Sequence, residues 1–160
     1  MLNSYLENSK ILIVDDQQPN IDLLVEFLKM HRFKNIQCTT DPSLTTSLFE
    51  SFSPDLILLD LLMPKLSGFD VMDKLRLLIS KDDYLPILIL TADNTLNTKQ
   101  LALAVGAEDF LSKPFDFIEV FLRIRNLLET RYLFQIMREK NQILEKSVEM
   151  IEKIIKWHNK

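Results

Sequence analysis

Asp15, Asp16, Asp60, Thr91 and Lys113 are the residues whose types and placing could do chemistry together. Each follows a short run with strand character. ILIV precedes Asp15 and Asp16, LILL precedes Asp60, and ILIL precedes Thr91. Asp109 to Leu111 leads to Ser112, Lys113 and Pro114. If these runs are parallel strands, their ends converge, and three carboxylates share a small space with one ammonium and one hydroxyl. Carboxylates at that range repel unless a cation joins them. A hard divalent ion with oxygen ligands meets that need, and Mg²⁺ suits few carboxylates, several waters and a phosphoryl oxygen. Lys113 is then free to hold the anion that the metal also holds, and Thr91 can donate a hydrogen bond to it. Taken singly, an Asp or Thr at a strand end only caps the next helix. The joint arrangement on four strand ends is what points to a site.

The elements that would position these residues are legible from their periodicity. Ile11–Val14, Leu56–Leu59 and Ile87–Leu90 lack period-two alternation, as strands of a parallel sheet covered on both faces do. Asn35–Thr39 and Asp109–Leu111 are weaker strand candidates. Helical patterns cover Asn20–His31, Pro42–Phe52 (with Asp41 as its cap), Phe69–Ile79 and Thr95–Val105, the last stopped by Gly106. Alternating units of this kind predict an α/β doubly wound sheet, whose ligands sit outside the carboxyl ends of the strands.

The chain has 160 residues, 47% of them hydrophobic, and a net charge of −4. That supports a buried core and argues against a general nucleic-acid binder. The acid is concentrated before Asn126. Cys38, the single cysteine, is read as a reduced core residue. The first ten residues lack the cationic start and apolar stretch of a signal peptide, and no apolar run is long enough to span a membrane. The expectation is a soluble, cytoplasmic protein with no membrane contact.

ILIVDDQQPN, DLILLDLLMPKLSGF, PILILTAD and GAEDFLSKPF resemble the four signature blocks of two-component response-regulator receiver domains, over roughly residues 8–128. The resemblance implies a flavodoxin-like (CheY-like) five-stranded sheet of order 2-1-3-4-5. It makes Asp60 the phospho-acceptor, with Mg²⁺ held by Asp15, Asp16, Asp60 and the backbone carbonyl of Leu62. Thr91 and Lys113 would contact the phosphoryl group, Phe110 would be the aromatic switch partner of Thr91, and Lys113–Pro114 would be cis. Plain core packing also accounts for a Phe at 110. The implied partner is a sensor histidine kinase or phosphotransfer protein. Leu62 and Asp93 depart from what many relatives carry, at places that flank the path of an attacking water.

From Asp116 onward there is no Gly and no Pro, and one helical pattern runs through. A heptad register with Leu127 at a puts Phe134, Asn141, Val148 and Ile155 at a, and Thr130, Met137, Leu144, Ile151 and His158 at d. A single Asn at a favours a parallel, in-register pair. Thr130 and His158 are weak seam residues, and Ile143 and Ile154 fall outside the seam. The competing reading is an amphipathic helix that lies on its own domain or on another one. The organisation expected is an N-terminal extension over 1–9, a receiver over 10–128 and a helical coiled-coil or linker extension over 129–160. In relatives such a helix often joins a receiver to an output domain.

These residues describe a signalling module rather than an enzyme: it would catalyse only its own phosphorylation and dephosphorylation. Two alternatives are an aspartyl-nucleophile, Mg²⁺-dependent phosphatase and a partner-binding pseudo-receiver that is not phosphorylated. The phosphatase normally needs a second acid two residues after the nucleophile, where this chain has Leu62. The pseudo-receiver is at odds with a complete set of site residues. The tail shows no helix-turn-helix pattern, so direct nucleic-acid binding is not expected.

Overall fold

The computed structural model describes residues 1–159. Five parallel strands, β1 (Lys10–Val14), β2 (Asn35–Thr39), β3 (Leu56–Leu59), β4 (Ile87–Thr91) and β5 (Asp109–Ser112), form one sheet in the order β2-β1-β3-β4-β5. The flavodoxin-like order implied by the sequence is therefore the one adopted. The helices are α1 (Leu2–Asn8), α2 (Gln18–Met30), α3 (Thr45–Phe52), α4 (Gly68–Leu78), α5 (Leu96–Ala104) and α6 (Phe117–His158).

The apolar runs of β1, β3 and β4 are buried throughout because both faces of the sheet are covered. Alternate strand residues feed two core layers. Leu12, Val14, Ile57, Leu59 and Ile89 pack with Val71, Met72 and Leu75 of α4 and with Ala102 of α5. Ile11, Ile13, Leu56, Leu58 and Leu90 pack with Ile21, Leu24 and Leu28 of α2 and with Val120, Ile124 and Leu128 of α6.

Local chemistry sets the boundaries. Asp41 accepts from the Ser43 amide as expected, but it caps a 3-10 turn over Pro42–Leu44, and α3 begins only at Thr45. Ser67 and Asp70 form a reciprocal capping box at the start of α4. Gly106, at φ +113°, takes the left-handed turn after α5. Cys38 departs from its expected place in the core. It is exposed, because β2 is the edge strand and only Thr39 of that strand is buried.

The N-terminal extension forms a helix: α1 packs on α6, with Tyr5 and Tyr132 ring centroids 4.7 Å apart. Packing of α6 against the body also continues past residue 128. Arg131 is buried, and its guanidinium donates to Asp55 Oδ1 (3.1 Å), to Asp83 Oδ1 (3.2 Å) and to the Tyr84 carbonyl. Phe134 lies against Tyr84, and Arg138 reaches Asp83 at 3.9 Å. From Glu139 to His158 every residue is exposed, on one unbroken helix.

Candidate functional site

The strand ladder itself places the acids. The Asp15 amide donates to the Thr39 carbonyl (3.3 Å) and the Asp60 amide to the Val14 carbonyl (2.9 Å), so both residues continue the sheet by one step. Their carboxylates, with that of Asp16, each offer an oxygen, and these oxygens all lie within 4.8 Å of one another. Asp15 and Asp60 are buried and Asp16 is half-buried.

Lys113 crosses from the end of β5 to join them. Its Nζ lies 2.7 Å from Asp15 Oδ2 and 3.1 Å from Asp60 Oδ2. Burial works to lower the Lys113 pKa, but the bonds and charges of the two carboxylates outweigh it and hold the ammonium above its usual value. Thr91, wholly buried, ends β4, and its carbonyl accepts from the Lys113 amide at 2.8 Å. The Lys113–Pro114 bond is cis.

Further groups fix the carboxylates. The Gln17 amide donates to Asp15 Oδ1 (2.9 Å), and the Asn20 side chain donates to Asp15 at 3.3 Å. The Leu62 amide donates to Asp60 Oδ1 (3.1 Å) while its side chain stays exposed. Asp60 is thus held in a pose that leaves its other oxygen toward Lys113. Asp93 is engaged otherwise than its position suggests: it accepts from the Thr95 amide (3.1 Å) and the Thr98 hydroxyl (2.8 Å), at the start of α5. These hydrogen bonds hold its carboxyl below the usual carboxylate range. Phe110 is buried in the layer under α4 and α5.

Two contributors escaped the sequence reading. A Cβ on Gly68 would stand 2.4 Å from the Asp60 carbonyl oxygen and 2.8 Å from Leu61 Cα. Only glycine lets α4 come that close to the strand end. Its signal is the sequence SGF after the loop that follows Asp60. Asn20 was read only as the start of a helix, and nothing in its local sequence says that it turns back to Asp15.

Three carboxylates and one ammonium leave the cluster with net negative charge among oxygen donors, which is the donor set of a hard divalent cation. The class defined by this fold and site is a doubly wound α/β protein with an acidic, cation-ready crevice at the carboxyl edge of its sheet. Comparison with known proteins gives the family: residues 11–125 match the response regulator receiver domain. The chain belongs to this family. It is 38% identical over 120 residues to the transcriptional regulatory protein CpxR of Klebsiella pneumoniae, covering 75% of this chain and 49% of that protein. To "Probable transcriptional regulatory protein TcrX" of Mycobacterium tuberculosis it is 36% identical over 118 residues, covering 74% and 49%. The chain thus spans about half the length of these relatives.

Among solved structures, chemotaxis protein CheY4 of Vibrio cholerae aligns with a TM-score of 0.69 at 25% identity, covering 75% of this chain and 98% of that one. The BeF3-activated receiver domain of Klebsiella pneumoniae RstA aligns with a TM-score of 0.67, also at 25% identity, covering 74% and 97%. The family match ends at residue 125, before the exposed part of α6 begins. Among the described residues, no helix is long and apolar enough to cross a membrane.

Proposed function

We propose that Asp60 accepts a phosphoryl group from a phosphohistidine on a sensor kinase or phosphotransfer protein, and that α6 carries the resulting change outward through a parallel pair of tails. The observation that carries this reading is the Asp60 carboxylate, buried at a strand end beside Asp15, Asp16 and the Lys113 ammonium.

The Asp60 carboxylate oxygen attacks phosphorus, the P–N bond breaks as the O–P bond forms, and the imidazole nitrogen leaves with its electron pair and takes up a proton. Asp15, Asp16, Asp60 and the Leu62 carbonyl would hold Mg²⁺, which supplies charge neutralisation to the transferring phosphoryl oxygens. Lys113, bound to Asp15 and Asp60 in this structure, would turn its ammonium to the new phosphoryl oxygens, and Thr91 would donate its hydroxyl to them. A shift of Thr91 is felt at Phe110, which lies two residues from Thr91's strand partner Ser112. The protein acts as a signalling module whose chemistry is confined to forming and discharging its own acyl phosphate. The relatives named as transcriptional regulatory proteins favour control of transcription as the output of this signal.

Intact mass after incubation with acetyl phosphate and Mg²⁺ tests the site. One phosphoryl group adds to the wild type, and none adds to Asp60→Asn or to the wild type in chelator. Stable labelling of Asp60→Asn would place the acceptor elsewhere.

A further inference from the structure

The tail of α6 carries more apolar surface than one partner helix can cover. The first two a positions of the heptad seam are used by the body: Leu127 packs on its core and Phe134 on Tyr84. The free part of the seam is Met137, Leu144, Val148, Ile151 and Ile155, all more than half exposed.

A second stripe runs beside it, each residue standing one position before a seam position: Leu133, Ile136, Ile143, Met150, Ile154 and Trp157. All but Ile136 are more than half exposed. Lys140 and Ser147 complete the spacing. One residue turns an α-helix by about 100°, so this stripe faces a second direction about 100° from the first. Every position between 138 and 156 that lies off both stripes is Arg, Glu, Gln or Lys. The helix is therefore polar on one side and apolar over two adjoining faces.

A tail paired through the seam alone would leave Leu133, Ile143, Met150, Ile154 and Trp157 in water, and no other part of this chain covers them. A helix in a four-helix bundle touches two neighbours in directions about 90° apart, close to the separation of the two stripes. In a three-membered ring the directions differ by only about 60°. We propose that pairs of tails join through this second stripe, so that four copies of the chain close a four-helix bundle over residues from about 133 to 157. The occupant of the second stripe is a second pair of the same tails. Lys140 and Ser147 interrupt the second stripe more than Asn141 interrupts the first, so the seam pairs first and the second stripe joins pairs at higher concentration.

The proposal rests on the paired-tail reading, and the test separates the two. Sedimentation equilibrium of the full chain should show dimers that pass to tetramers as concentration rises through the micromolar range. Ile143→Glu with Ile154→Glu should stop at the dimer at every concentration, and Leu144→Glu with Ile151→Glu should be monomeric. Circular dichroism and phosphoryl labelling should show that the body of each variant remains folded. Lys140→Leu should move the dimer–tetramer midpoint to lower concentration by at least about tenfold, since it completes the apolar stripe. A wild type that stays dimeric at high concentration overturns the second contact and leaves the pairing intact. A tetramer unchanged by the Ile143 and Ile154 substitutions does the same, and a trimer overturns both the second contact and the two-stranded pair. A monomeric wild type overturns both readings.

Discussion

Two ion clusters of like composition, each only partly open to solvent, sit at opposite ends of β3. At its carboxyl end, Lys113 meets Asp60 and Asp15; at its start, Arg131 meets Asp55 and Asp83. The difference lies in the balance of charge and in the cation. Around Lys113 a third acid, Asp16, leaves the cluster overcharged, and the ammonium is a point charge on a flexible stem that can change partners. Around Arg131 a planar guanidinium is shared by two carboxylates and a backbone carbonyl, which fixes it in place. One cluster keeps an excess of negative charge among oxygen donors, which a divalent cation could balance. The other ties α6 to the β3 start and to the loop before β4, so the tail leaves the body in a set direction.

Removing each cation in turn should break the comparison if it is wrong. Lys113→Ala should lower the rate of phosphoryl labelling by about 100-fold, the scale of one lost electrostatic contact to the transferring group. Mg²⁺ binding should persist, because the ammonium competes with the metal for Asp15 and Asp60. Isothermal titration with Mg²⁺ beside a labelling time course gives both readouts. Equal labelling rates for variant and wild type would remove Lys113 from its assigned role.

Arg131→Ala should do the reverse. Stability should fall by about 3 kcal/mol, because Asp55 and Asp83 lose the cation between them. Labelling of the folded fraction should be unchanged. Urea denaturation followed by the same labelling assay measures both. A loss under 1 kcal/mol, on the scale of about 0–1 kcal/mol for surface pairs, would make Arg131 a surface contact and not the root of the tail.

The two ends also differed in how far the sequence disclosed them. Asp15, Asp16, Asp60 and Lys113 were readable because each follows a strand or strand candidate, and parallel strands bring such ends together whatever the intervening loops do. Arg131 was not, since it sits inside a long helical pattern where an exposed Arg is the ordinary case. Its partners Asp55 and Asp83 are 76 and 48 residues away in sequence. Asp93 shows the same limit: its place flanks the path expected of an attacking water, but nothing in the sequence says that two threonines further along the chain hydrogen-bond its carboxylate. The heptad pattern marked an apolar stripe but not that the body takes Leu127 and Phe134 from it, because periodicity cannot say which of two neighbours a face meets.

The smallest effect concerns pH at the Arg131 end. Tyr5 and Tyr84 both stand there, and both phenols are pushed up to about 12. Burial is the main cause for each, with the charge of Asp55 adding to Tyr5 and that of Glu108 to Tyr84. An unfolded tyrosine loses its proton near its ordinary value of about 10. Between there and about 12 the unfolded chain therefore binds fewer protons than the folded one, and stability falls as pH rises. The contribution is fully present below the unfolded pKa and is lost through the folded one. The raised Lys113 pKa acts in the same direction at the other end of the sheet. Urea midpoints taken in steps from pH 9 to 12 should decline, and Tyr5→Phe with Tyr84→Phe should flatten the slope without abolishing it. Tyrosinate absorbance should show two of the three tyrosines titrating late in the native protein. A midpoint constant across that range, or a slope unaltered by the double substitution, would mean that neither phenol is held in its neutral form by the packing around Arg131.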